Sequence, residues 1–140
     1  MPSSTLTAVD SLVEAIAEKV HNLGSDSLRV ALTNSAPIAG NTVLANITEI
    51  SYTNCSSRAL TVSASSQTSG TYKLVISDLV LTASGGNVGP FRYVVIYNDT
   101  ATNDELIGWL DYGSSITLAD GETLTLDFSA ANGILQIAKV

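Results

Sequence analysis

The sequence predicts an all-β chain, an antiparallel β-sandwich (jelly-roll-like) of about eight strands behind one N-terminal amphipathic helix. Three observations carry that prediction. Apolar residues recur at spacings of three and four only ahead of Gly24, and in alternation after it. Turn signals such as Ser69-Gly70, Asp120-Gly121 and Asn132-Gly133 break the rest into short runs. No helical pattern separates those runs, as a parallel α/β fold requires.

The helix is expected over residues 6–23. Leu6, Val9, Val13, Ile16, Val20 and Leu23 form one stripe, widened by Leu12 and Ala17. Thr7 before Asp10, or Ser11 before Glu14, offers a capped start, and Gly24 a stop. Asp10, Glu14, Glu18 and His21 make the opposite, solvated face. Residues 1–24 are expected to belong to the same unit as the sandwich of 25–140.

Residues 28–32 alternate Leu28, Val30 and Leu32 with Arg29 and Ala31, a half-buried strand. Residues 33–57 are irregular, rich in Asn, Ser and Thr, and longer than connecting loops usually are. Such an arm, with Pro37, Ile38, Val43 and Leu44, is a natural contact element for a partner. From Arg58 the chain reads strand after strand. Leu60 and Val62 open one, and Tyr72, Leu74 and Ile76 the next. A phase slip at Ser77-Asp78, before Leu79 and Leu81, suggests a bulge. Residues 90–97 are apolar on both faces and mark a central strand. Residues 106–112 follow with the only tryptophan, Trp109. Asp120-Gly121 and Asn132-Gly133 then read as hairpin turns into the last two strands.

Composition narrows the chemistry. Charged residues are only 14% of the chain, so Ser, Thr, Asn and Gly must cover its surface. Thirteen acids against six scattered bases leave a net charge of −7. Nucleic-acid binding needs clustered Lys and Arg, so neither nucleic acid nor an anionic membrane is an expected partner. One cysteine, Cys55, makes no internal disulfide. One Cys and one His do not supply a closed zinc site. No basic and apolar leader precedes residue 6, and no apolar run approaches the ~20 residues that span a bilayer. The expectation is a soluble protein made in the cytoplasm.

No catalytic constellation and no cofactor site is expected. His21 sits on the polar helix face without a nucleophile and orienting acid beside it. Residues 98–105 gather the hard oxygen ligands that calcium prefers, but in a spacing that a solvated loop explains. Gly85 to Gly89 precede a strand, whereas a phosphate cradle needs a helix behind it. Trp109, Asp111 and Tyr112 are the best ligand-contact candidates, because an aromatic face beside a carboxylate suits a sugar. A core tryptophan beside a strand-end aspartate is the plainer explanation.

Several phrases resemble small virion proteins of tailed bacteriophages. They are residues 21–37 (HNLGSDSLRVALTNSAP), 89–100 (GPFRYVVIYNDT), 106–118 (LIGWLDYGSSITL), 120–128 (DGETLTLDF) and Asn132-Gly133. That group is defined by presence in the particle, so no catalytic residue comes with the resemblance. It implies a virion component: a capsid decoration (cement) protein on the major capsid protein, or else a tail or fibre component. A sandwich with open strand edges suits docking by strand addition and assembly into a dimer or trimer. The helix stripe and the 33–57 arm are then the expected contact elements.

Overall fold

The computed structural model of the chain describes residues 5–140, and its organising element is the run read as a central strand. That strand, β6 (Val88–Asn98), lies between β2 (Leu28–Thr33) and β7 (Leu106–Leu118). Its residues 94–98 are all buried, so both faces are covered. A short strand, β1 (Thr7–Ala8), completes a four-stranded sheet in the order β1-β7-β6-β2. A second sheet is β3 (Val62–Thr68), β4 (Thr71–Ile76) and β9 (Leu135–Ala138), in the order β3-β4-β9. The third pairs β5 (Leu79–Thr82) with β8 (Thr123–Leu126). Every pairing is antiparallel, and among the described residues the chain is all-β with one short α-helix, α1 (Leu12–Ala17). One core runs from Val9 and Leu12 through β2, β4 and β6 to Phe128, so the N-terminal segment shares it with the strands.

The stretch 6–23 is not one helix. Thr7 and Ala8 pair with Trp109 and Gly108 of β7, and only Leu12–Ala17 is helical. Two causes are visible. The stripe is built largely from Val and Ile, whose restricted side-chain rotation weakens a helix and suits a strand. An open edge on β7 also offers Thr7 and Ala8 a ladder that an isolated first helical turn lacks. Gly108 makes the approach possible, because a Cβ there would strike the Thr7 carbonyl oxygen and stand 3.1 Å from Ala8 Cα. Of the two start signals, Ser11 is the one used, although its side chain makes no capping bond.

Gly24 is not the stop either. Lys19 takes the left-handed conformation at φ 65°, with its N–H on the Ile16 carbonyl (3.4 Å) and the Val20 N–H on the Ala15 carbonyl (2.8 Å). That is a Schellman ending, with a lysine where glycine is usual.

β2 is more deeply buried than alternation suggests. Ala31 and Thr33 are buried along with Leu28, Val30 and Leu32, leaving only Arg29 partly exposed. The cause is the arm, which extends in the structure through Arg58 and Leu60 and folds back along the outer edge of β2. Leu60 N–H bonds the Leu28 carbonyl (2.9 Å), Val30 N–H the Arg58 carbonyl (3.0 Å), and Ile50 N–H the Leu32 carbonyl (3.0 Å). Side chains fill the remaining positions: Tyr52 Oη accepts the Leu32 N–H (2.9 Å), and Arg58 Nη1 donates to the Val30 carbonyl (2.7 Å). Arg58 also lies 3.7 Å over the Tyr52 ring, whose hydroxyl donates to Glu49 (2.7 Å). Burial, above all, pushes the Tyr52 pKa up, so the hydroxyl stays a donor.

Three turn signals do different work from that expected. Ser69 and Gly70, both at positive φ, do close the β3–β4 hairpin. Ser77-Asp78 is not a bulge but the crossing from one sheet to another, since β4 pairs with β3 and β9 while β5 pairs with β8. Asp78 anchors that crossing by accepting the Phe128 N–H (2.9 Å). Asp120-Gly121 and Asn132-Gly133 turn the chain without making hairpins, because β8 and β9 pair with β5 and β4. A turn residue sets local direction, and the choice of strand partner comes from core packing.

Lys19→Gly relieves the left-handed strain, worth about 1 kcal/mol, and is expected to raise the thermal midpoint by ~3 °C. Gly108→Ala is expected to destabilise by about 1–3 kcal/mol and to speed amide exchange at residues 7–9, as hydrogen exchange would show.

Candidate partner-contact surface

Two segments picked from the sequence meet at one corner. The Asp10 N–H bonds the Ala39 carbonyl (2.9 Å), tying the start of α1 to the tip of the arm. Three residues after Asp10 and one before Ala39 come two of the most exposed large apolar side chains, Val13 at 75% and Ile38 at 63%. Leu12 turns inward and Ile16 is half-buried, so the helix spends those positions on its own core. Val13 and Ala17, four residues apart, share the outer face next to Glu14 and Glu18. An apolar ridge thus lies beside an acidic one.

The other contact candidates divide. Val9 is buried in the core, so it is not free for a partner, and Leu6 is half-buried against it. Val20 keeps 38% of its surface, just past the helix end. Pro37 is buried; Val43 and Leu44 are half-buried where the arm docks on the 98–105 loop. There Leu44 N–H bonds the Asp104 carbonyl (3.0 Å) and Leu106 N–H the Thr42 carbonyl (2.9 Å). The sequence reading passed over Val80 and Ile137, exposed at 50% and 41%, because each sits inside an apolar run that reads as core.

The sugar-contact trio does not form one platform. Trp109 is half-buried against the core, opposite Val95 on β6 and Thr7 on β1. Asp111 is exposed and taken by Arg92 in a two-pronged pair (2.8 and 3.0 Å), with Gly113 N–H on the same carboxylate (2.8 Å). Arg92, above all, holds the Asp111 carboxyl below its usual pKa. Tyr112, adjacent to Asp111 in the strand, faces the other side of the sheet.

His21 is buried, not a solvated residue of a polar helix face. The helix ends before it, and the chain turns it in toward Asn98, itself buried at the end of β6. The Asn98 oxygen accepts the N–H groups of Thr100 (3.0 Å) and Ala101 (3.2 Å), which fixes the amide orientation. Its nitrogen must therefore donate to His21 Nδ1 (2.9 Å) and to Asp26 (2.6 Å). Nδ1 is an acceptor, so the ring is neutral with its proton on Nε2. Nε2 is buried without a partner in bonding geometry. Burial lowers the His21 pKa, and the Glu105 and Asp26 carboxylates with the Leu106 carbonyl oppose it without prevailing. The network pins the link between α1 and β2 to the β6–β7 loop. Within that loop, Glu105 accepts from Asn103 and Asp99 faces Arg29 at 3.9 Å. Among the described residues no group of three His, Cys, Asp or Glu is placed to hold a metal ion, and no helix is long and apolar enough to cross a membrane.

Compared with family models, with curated proteins and with solved structures, the chain matches none.

A depressed histidine pKa favours the folded state above the unfolded value of about 6.5, and that contribution is lost as pH falls through the folded value. The thermal midpoint is expected to fall between about pH 7 and pH 5, above the usual carboxylate range. His21→Gln is expected to flatten that slope, as melting curves across the window would show; an unchanged slope excludes His21 as its source.

Proposed function

We propose that this chain is a structural virion protein of a tailed bacteriophage, a decoration (cement) protein on the outer surface of the major capsid protein lattice. The observation that carries the reading is the exposed pair Val13 and Ile38, on two separate segments joined at the Asp10–Ala39 hydrogen bond. Exposed apolar groups on two joined segments suit a protein interface. The phrases in 21–37, 89–100, 106–118 and 120–128 that resemble virion proteins name the kind of assembly. A −7 chain with scattered bases suits a protein lattice better than the genome inside it or a membrane. Self-association into a dimer or trimer belongs to the same proposal.

A carbohydrate-contacting tail or fibre component is the weaker reading. Asp111 is already held by Arg92, and Trp109 and Tyr112 lie on opposite faces of β7.

Purified protein is expected to bind undecorated capsids saturably, measured by co-sedimentation. Val13→Glu with Ile38→Glu should weaken that binding by about tenfold or more while leaving stability within ~0.5 kcal/mol, since both sites are exposed. Absence of saturable binding to capsids overturns the proposal.

A further inference from the structure

Among the described residues three sheets end on β1, β2, β3, β9, β5 and β8, and most of these edges are short or closed by devices that prevent strand addition. The β2 edge is covered by the arm through Ile50, Arg58 and Leu60. The β5 edge is covered by the same arm, with Ser56 N–H on the Thr82 carbonyl (3.0 Å) and Thr82 N–H on Ser56 Oγ (2.8 Å). β1 is only two residues long and covers β7 at residues 108 and 109; beyond them the uncovered part of β7 shifts register from Tyr93↔Asp111 to Phe91↔Ile116. The extra residues, with Gly113 at φ 99°, bulge that edge. β8 and β9 are four residues each; Glu122 and Asp127 flank β8, and Lys139 follows β9.

β3 has none of this protection. Its seven residues, Val62–Thr68, are hydrogen-bonded along one side, to β4, and most are exposed. The only register shift lies at its start, between Val62 and Ala64, leaving Ala64 to Thr68 regular. The strand contains no charge and no proline.

We infer that the β3 edge pairs with the β3 edge of a second copy, antiparallel about a two-fold axis. The two three-stranded sheets then become one six-stranded sheet. Charge selects a second copy as the occupant. In a two-fold contact the strand meets its own copy, so a net charge carried on it would lie against the same net charge. A chain of net charge −7 resists self-association over most of its surface, and β3 is a neutral strip within it. Serine, threonine and glutamine side chains facing their own kind make favourable cross-strand pairs. The contact is small, so the dimer is a weak one. This inference does not rest on the capsid reading.

Sedimentation equilibrium of the purified chain, without capsids, from micromolar to millimolar tests it. A monomer–dimer equilibrium is expected. Ser66→Lys with Thr68→Lys should weaken it by about tenfold or more, whereas Ser114→Lys on the bulged β7 edge should not. Hydrogen exchange of the unaltered protein is the second readout, with amides of 62–68 slowing as concentration rises. A monomer at every concentration, a trimer, a dimer unaffected by the β3 lysines, or exchange at 62–68 independent of concentration would each overturn the inference. Protection of 62–68 that appears with capsids and not with concentration would assign the edge to a different partner, and would overturn it too.

Discussion

The structure depends on one requirement, that the outer edge of β2 must be satisfied without water. β2 is buried on both faces, so its edge N–H and C=O groups have no solvent to turn to, and an unpaired buried group costs about 1–3 kcal/mol. The arm meets that need with backbone from Ile50, Arg58 and Leu60, and with the side chains of Tyr52 and Arg58 where backbone does not reach. Glu49 then holds Tyr52 and neighbours Arg58 at 3.9 Å. A stretch that looks like a loose connection is therefore a cover, and its irregularity comes from serving side-chain bonds as well as ladder bonds. The same segment continues along β5, so it also joins the large sheet to the small one.

The strands were legible because apolar alternation is a direct record of burial. β2, β4 and β6 fall where the pattern places them, β7 runs on past the expected 106–112 to Leu118, and the doubly apolar run is the central strand. Connectivity was less legible. A phase slip at Ser77-Asp78 looks the same whether a strand bulges or leaves its sheet, and only Asp78 reaching Phe128 distinguishes the two. The helix was over-read for a related reason. Spacings of three and four recur by chance in a segment of mixed role, and the stripe of Val and Ile held part strand, part helix and part turn. The signal against a long helix was its β-branched content.

Exposure among the candidate contact residues was half legible. Val13 and Ile38 were marked by sequence and stand exposed, but from the same segments Val9 went into the core, Pro37 is buried and Leu6 is half-buried. Periodicity reports that a residue is apolar, not whether its cover comes from within. His21 was misplaced for the opposite reason. Its polarity suggested solvent, yet the acceptor it offers to Asn98 made burial tolerable. A polar side chain far away in sequence was needed to see that.

Cys55 lies in the arm between Tyr52 and Arg58, half-buried and bridged to Ala83 at the end of β5. Burial raises its pKa, with Arg58 opposing only in part, so the thiol is sluggish toward electrophiles while the arm is seated. Lifting the arm would expose it. The single thiol is thus a native stopwatch: its alkylation rate in unmodified protein times how often the cover over β2 comes away, with no dye and no engineered label.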